Sequence, residues 1–188
     1  MHWALINGES YHGITIHEMN ERFDDGAILW QEKVKLQPHY SVQELRKLLM
    51  EVLVVHFPHF IENLNEGKLE KKENVLVKGN YVRARRPEDS RLTEWSKPDL
   101  LFRKIKALRS EPFPAYLSTE KNEQIIVIDV IRETVKMEED PVIETVKFPC
   151  IQQQQSGELK VQLNKKDIFI LKCPKIKRTG TNLKLITT

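Results

Sequence analysis

The chain has 188 residues, of which 40% are hydrophobic and 30% charged, and a formal net charge of +3. A chain of this length buries roughly 70% of its unfolded surface and needs no disulfide or metal to fold, and its composition excludes a collagen, a coiled-coil rod and wholesale disorder. No apolar run approaches the ~18 residues of a membrane span, the amino terminus lacks the pattern of a signal peptide, and two cysteines make no disulfide framework, so we expect a cytoplasmic, reduced protein without membrane association.

Trp3-Ala4-Leu5-Ile6 reads as the last turn of a helix, stopped by Asn7-Gly8 in the left-handed conformation such ends favour. Gly13-Ile14-Thr15-Ile16-His17 is a short β-rich run, expected to be a buried strand. A polar turn, Asn20 to Gly26, ends in the Asp-Gly pair that tolerates positive φ. Ala27 to Gln31 and Val34 to Leu36 resume a strand pattern. Ser41-Val42-Gln43-Glu44 is a capping box, and the apolar positions behind it predict a helix over 41–65, closed near Gly67 and kinked or interrupted by Pro58. His56 and His59 lie three apart on that helix without a third ligand nearby, so they read as surface or packing histidines.

Lys68 to Asn80 is polar and reads as a linker. Beyond Tyr81, Ser96 is placed to cap a second helix with Pro98 in its first turn. Leu100, Leu101, Ile105 and Leu108 give that helix an apolar face, and Arg103, Lys104, Lys106 and Arg109 a basic remainder, before Pro112 and Pro114 stop it. From there the hydrophobic period changes to two. Gln124 to Ile131, Leu159 to Leu163 and Asp167 to Cys173 read as strands, Gln152 to Gln155 as a loop, and Lys172, Lys175, Lys177, Arg178 and Lys184 as a basic strand or tail. Several short strands in about 70 residues point to a small sheet or barrel.

Charge divides the chain. Residues 1–80 carry 9 Lys and Arg against 12 Asp and Glu, whereas residues 81–188 carry 21 against 15. The split suggests two units, the second either seeking an anionic partner or simply solvated. Phosphate loops, dinucleotide fingerprints, His-Glu-x-x-His and nucleophile elbows are absent from the sequence. Cys150 and Cys173 have no neighbouring His and read as inert thiols, and no metal site is expected. The notable segment is Glu21 to Gly26, directly after the strand ending in His17, because functional groups of α/β folds often sit in loops at strand ends. On its residues alone it reads rather as a solvated turn.

Three ordered motifs add a resemblance. Trp3-Ala4-Leu5-Ile6-Asn7-Gly8-Glu9, Gly13-Ile14-Thr15-Ile16-His17-Glu18-Met19 and Asp24-Asp25-Gly26-Ala27-Ile28-Leu29 resemble the second half of the 10-formyltetrahydrofolate-dependent formyltransferase catalytic domain. That family includes methionyl-tRNA formyltransferase and the sugar-nucleotide formyltransferases. Arg85 to Ser90, Glu94-Trp95 and the Lys106-Ala107-Leu108 helix also fit the resemblance. It implies an α/β protein: a partial Rossmann-like catalytic domain over 1–80, a helical connector over 81–110 and a small, OB-like β-barrel domain over 111–188.

The resemblance also implies a reaction, attack of an acceptor amine on the formyl carbon of 10-formyltetrahydrofolate. Asp24 matches the Asp that orients a His and manages the amine proton, with Asp25 in place of the usual Thr, then Gly26. His17 matches a polar strand-end position near the site. Arg85 and Arg86, followed by Pro87-Glu88-Asp89-Ser90, look more like the sugar-nucleotide group and suggest contacts to the acceptor. The implied acceptor is therefore a nucleotide-linked amino sugar, with initiator Met-tRNA as the alternative suited to the basic second half. Two departures stand out. Phe113-Pro114-Ala115-Tyr116 replaces the usual Pro-Gly-Ala, and the family's Asn-x-His-x-Ser-Leu-Leu-Pro, whose Asn and His stabilise the oxyanion, is not found in these residues. We therefore expect a fragment with most of the folate pocket outside it, or a non-catalytic remnant or binding module.

Overall fold

A computed structural model describes residues 1–75, 82–109, 112–134, 149–154, 156 and 158–174. Lys175, Lys177, Arg178 and Lys184 of the expected basic tail lie outside them, as do residues 76–81 of the linker region, Gln155 and Gly157. The first element is a short helix, α1 (His2–Asn7). Gly8 closes it at φ 75°, ψ 37°, with the amides of Gly8 and Glu9 returning to the carbonyls of Leu5 and Ala4. Its end is completed from a distance by Arg103, whose Nε donates to the Ile6 carbonyl at 3.1 Å.

An antiparallel hairpin follows, β1 (Tyr11–His17) with β2 (Ile28–Lys35), in register from Tyr11↔Lys35 to Ile16↔Trp30. It is not the buried strand expected, since most of β1 is exposed or half-buried. Helix α2 (Val42–Asn65) packs against this hairpin. Its capping box is complete: the Ser41 hydroxyl accepts from the Glu44 amide, and the Glu44 carboxylate accepts from the Ser41 amide at 2.7 Å. Those bonds hold the Glu44 carboxyl below its ordinary range.

Pro58 neither ends nor splits α2, against expectation. The bond it cannot make would go to the Val54 carbonyl on an exposed stretch, where water can serve that group, and Phe60 buries itself two residues later to hold the final turns. Gly67, at φ 67°, follows the helix as predicted.

A 3₁₀ turn (Pro87–Ser90) precedes α3 (Pro98–Ala107). The N-cap of α3 is Lys97, not Ser96, because Pro98 occupies the first helical position and sets the cap one residue before it. Lys104 departs from the expected basic face. It is buried, donating at 2.6 Å to both the Arg91 carbonyl and the Glu94 carboxylate.

The remaining strands are β3 (Tyr116–Ser118), β4 (Gln124–Ile126), β5 (Asp129–Thr134), β6 (Cys150–Gln153), β7 (Leu159–Gln162) and β8 (Asp167–Lys172). The expected strand over 124–131 is broken at Val127 and Ile128, whose amides turn to the Ala115 and Lys172 carbonyls. Gln152 and Gln153, expected in a loop, pair with Lys160 and Leu159. Strands β3 and β4 form a two-stranded sheet and the others an antiparallel sheet in the order β5-β8-β7-β6. Among the described residues this sheet is open rather than a closed barrel. Its inner face supplies Val130, Leu159, Val161, Phe169 and Leu171 to a core that also takes Leu5, Leu45, Leu101, Ile105 and Leu108. No helix among the described residues is long and apolar enough to cross a membrane.

Candidate functional site

The loop from Glu18 to Ala27 is built on the end of the β1–β2 hairpin. Its mouth is closed by the Glu18 amide donating to the Ala27 carbonyl at 2.9 Å. Gly26 sits against the opposite strand of the loop: a Cβ there would come within 1.8 Å of the Glu18 carbonyl oxygen. Only glycine permits that approach. Asp24, at the tip, adopts φ 54°, a left-handed conformation that Asp tolerates better than most residues. Its carbonyl accepts from the Asn74 side-chain amide at 2.8 Å, across 50 residues of chain.

The loop and the strand end before it thus bring together four of the residues singled out in the sequence, His17, Asp24, Asp25 and Gly26. The His17 imidazole lies with Nε2 3.6 Å from Asp24 Oδ1, while its Nδ1 is 2.8 Å from the Glu18 carbonyl. The Asp24 side chain is 93% exposed, open to a reactant rather than committed to packing. Asp25 differs, being turned inward to an ion pair with Arg22 at 3.5 Å. Glu18 pairs with Lys71 at 2.5 Å, and Lys72 exchanges backbone bonds with Ile28 at 2.8 and 2.9 Å.

Residues 71–74 therefore brace the loop from outside, although their composition reads as linker. No local signal marks Asn74 as a partner of Asp24, because the contact is made only when the chain returns to the hairpin after α2.

Arg85 and Arg86 stand in a different setting. The Arg85 Nη1 donates to Ser90 Oγ at 2.5 Å and to the Phe113 carbonyl at 2.7 Å, and its guanidinium lies 5.3 Å over the Phe113 ring. Among the described residues, Arg85 Nε is buried without a partner. The departure at Phe113-Pro114 is thus a contact for Arg85. Arg86 is exposed, and its backbone amide donates to Asp89. Among the described residues no hydrogen bond or ion pair joins either arginine to the Asp24 loop.

The expected bystanders have ordinary surroundings. His56 lies against Trp30, with ring centroids 5.7 Å apart, and His59 faces Glu62 at 3.6 Å. Burial pushes the Cys173 thiol up to about 12, so no thiolate nucleophile exists there at neutral pH. Among the described residues no three His, Cys, Asp or Glu side chains gather as a metal site. An open cavity of about 200 Å³ lies between α1 and the end of β2, lined by Leu5, Gly8, Ser10, Leu36 and Arg103. It is smaller than the roughly 300–1,000 Å³ of pockets that engulf a cofactor-sized molecule.

Comparison with known proteins bears on these placements. Residues 1–81 match the family described as formyl transferase. Among solved structures, the chain is similar to an N-formyltransferase from Helicobacter canadensis in complex with folinic acid and dTDP-3-aminofucose. The TM-score is 0.66 at 13% identity, covering 90% of this chain and 58% of that one. HypX from Aquifex aeolicus in complex with tetrahydrofolic acid matches with a TM-score of 0.64 at 16% identity, over 93% of this chain and 29% of that one. WlaRD, a sugar 3N-formyl transferase, matches with a TM-score of 0.62 at 13% identity, over 92% and 58%. At these identities the likeness is one of fold, and the chain spans 58% or less of the length of these solved relatives.

Proposed function

From the match of residues 1–81 to the formyl transferase family, we propose that this chain is the Asp24-bearing part of a folate-dependent formyltransferase acting on a primary amine. The partial Rossmann-like domain of residues 1–80, the connector and a C-terminal β domain belong to the same proposal. The observation that carries it is the placement of Asp24: an exposed carboxylate on a loop held in place by Gly26 and Asn74, in the segment that matches the family.

The chemistry needs such a group. As the amine nitrogen attacks the formyl carbon, the new C–N bond forms and the nitrogen becomes cationic. Its proton must leave before the bond from the formyl carbon to the folate nitrogen breaks productively. A positioned carboxylate takes that proton. Stabilisation of the oxyanion falls to the family's Asn and His, which lie outside these residues, and so does most of the pocket for 10-formyltetrahydrofolate.

For the acceptor we propose a nucleotide-linked amino sugar. The fold relatives that support this include one solved with dTDP-3-aminofucose and one described as a sugar 3N-formyl transferase. Arg86, exposed beside the 3₁₀ turn, is the proposed contact for the nucleotide phosphates, with Arg85 shaping the segment that carries it.

The test combines binding and turnover. The chain is titrated with a dTDP-linked amino sugar and with initiator Met-tRNA at two salt concentrations, and assayed with 10-formyltetrahydrofolate. We expect saturable binding of the amino-sugar nucleotide and no formamide product from the chain alone. Tight tRNA binding with a steep salt slope overturns the acceptor. Turnover that Asp24→Asn leaves intact removes Asp24 from the chemistry.

A further inference from the structure

Among the charged groups of the 18–27 loop, Glu18 is engaged by Lys71 and Asp25 by Arg22, whereas Asp24 faces His17. His17 is the last residue of β1, and the ladder changes register there: Ile16 pairs with Trp30 but His17 with Ile28. Irregularities of this kind re-aim a side chain at a strand end. The imidazole is then fixed from its other side. Its Nδ1 lies 2.8 Å from the Glu18 carbonyl oxygen, and a carbonyl can only accept, so the proton of the neutral ring belongs on Nδ1. Nε2 consequently presents a lone pair toward Asp24 Oδ1 at 3.6 Å. Two acceptors so placed attract each other only when one of them carries a further proton. The Asp24 backbone is held independently, by Asn74 on its carbonyl and by the close approach of Gly26 to Glu18.

We propose that His17 is the positioning residue of Asp24, directing its carboxylate and presenting Nε2 as the acceptor for a proton that Asp24 passes on. The inference rests on the formyl-transfer reading for its use. In that reaction an amine N–H bond breaks and an O–H bond forms on Asp24. Passage of the proton to Nε2 then leaves an imidazolium facing a restored carboxylate, with no change of oxidation state. In this role His17 acts through Asp24.

The test uses the full chain with ¹⁵N-labelled histidine, observed by NMR at mildly alkaline pH. The His17 signals are assigned by their loss in His17→Gln or, if that variant does not fold, in His17→Asn, whose amide keeps a donor toward Glu18. We expect the pattern of a ring protonated on Nδ1. Asp24→Asn should shift the Nε2 resonance, because an amide donor replaces a carboxylate, and leave Nδ1 protonated. A ring protonated on Nε2, or an Nε2 resonance that Asp24→Asn does not move, overturns the proposal. The spectrum and the binding assay fail separately: a chain with the expected spectrum that binds no amino-sugar nucleotide keeps the His17–Asp24 pair and loses the acceptor.

Discussion

Gly26 lies so close to Glu18 that a single added carbon would stand 1.8 Å from the Glu18 carbonyl oxygen. That oxygen also receives the His17 ring, so one backbone group joins the glycine, the histidine and, through them, the tip of the loop. Gly26→Ala is expected to cost about 1–3 kcal/mol and to displace the loop. Chemical denaturation measures the first effect. The second shows as NMR shift changes at Asp24 and Asn74, and a wild-type spectrum at those two residues would sink the idea.

The buried Lys104 tests a different part of the molecule. Its ammonium is enclosed with Glu94 and the Arg91 carbonyl, and Glu94 retains more contact with solvent than Lys104 does. Removing the carboxylate strands a buried cation, whereas removing the cation leaves an anion that water can reach. Glu94→Ala should therefore destabilise by about 2–4 kcal/mol, and more than Lys104→Met. Urea midpoints of the two variants measured side by side decide it; equal losses contradict the asymmetry.

Asp89 gives the fold an acid limit. The Arg83 guanidinium bonds its carboxylate at 2.5 and 2.7 Å, and the Arg86 amide adds a third bond, holding the carboxyl down to about 2. A carboxyl depressed in the folded state contributes stability above its unfolded value of about 3.9, and that contribution disappears as pH falls toward about 2. Stability measured from pH 5 downward should fall across that window. Asp89→Asn should flatten this limb, and an unchanged slope would count against the pairing.

Helix α2 carries apolar residues that the described core does not use. Val54 and Val55 are 72% and 73% exposed, while Leu45 and Leu49 on the other side are buried. Val54→Lys with Val55→Glu should leave stability within about 0.5 kcal/mol, since neither side chain is packed, and should reduce concentration-dependent association. Sedimentation at several protein concentrations measures the second effect. A large loss of thermal stability would mean that this face is packed in solution.

Much of the local structure is legible in the residues. Gly8 marks the end of α1, Ser41 and Glu44 mark the start of α2, and the apolar spacing behind them carries the helix to Asn65, because caps and periodicity act within a turn or two of chain. The errors have equally local causes. Pro58 is a breaker only where its missing bond cannot be served otherwise, and alternation over 124–131 hides a change of partner at Val127 that alternation does not encode. Lys104 looks like part of a basic face until Glu94 and the Arg91 carbonyl surround it.

The candidate site divides along the same line. The order Gly13–His17, then Asp24-Asp25-Gly26, is a property of the residues alone, and it carries both the likeness to formyltransferases and the distinction of Asp24. That Asp24 is open to solvent while its neighbour Asp25 turns to Arg22 is a matter of tertiary structure. So is the brace from Asn74, 50 residues away, and the register change that brings Nε2 of His17 toward the carboxylate. Residue type determines what chemistry a side chain can do. Which of two adjacent aspartates is free to do it depends on how the loop folds: Asp25 turns to Arg22 three residues back, and the Asp24 backbone is held by Asn74 once the chain beyond α2 has returned to the hairpin.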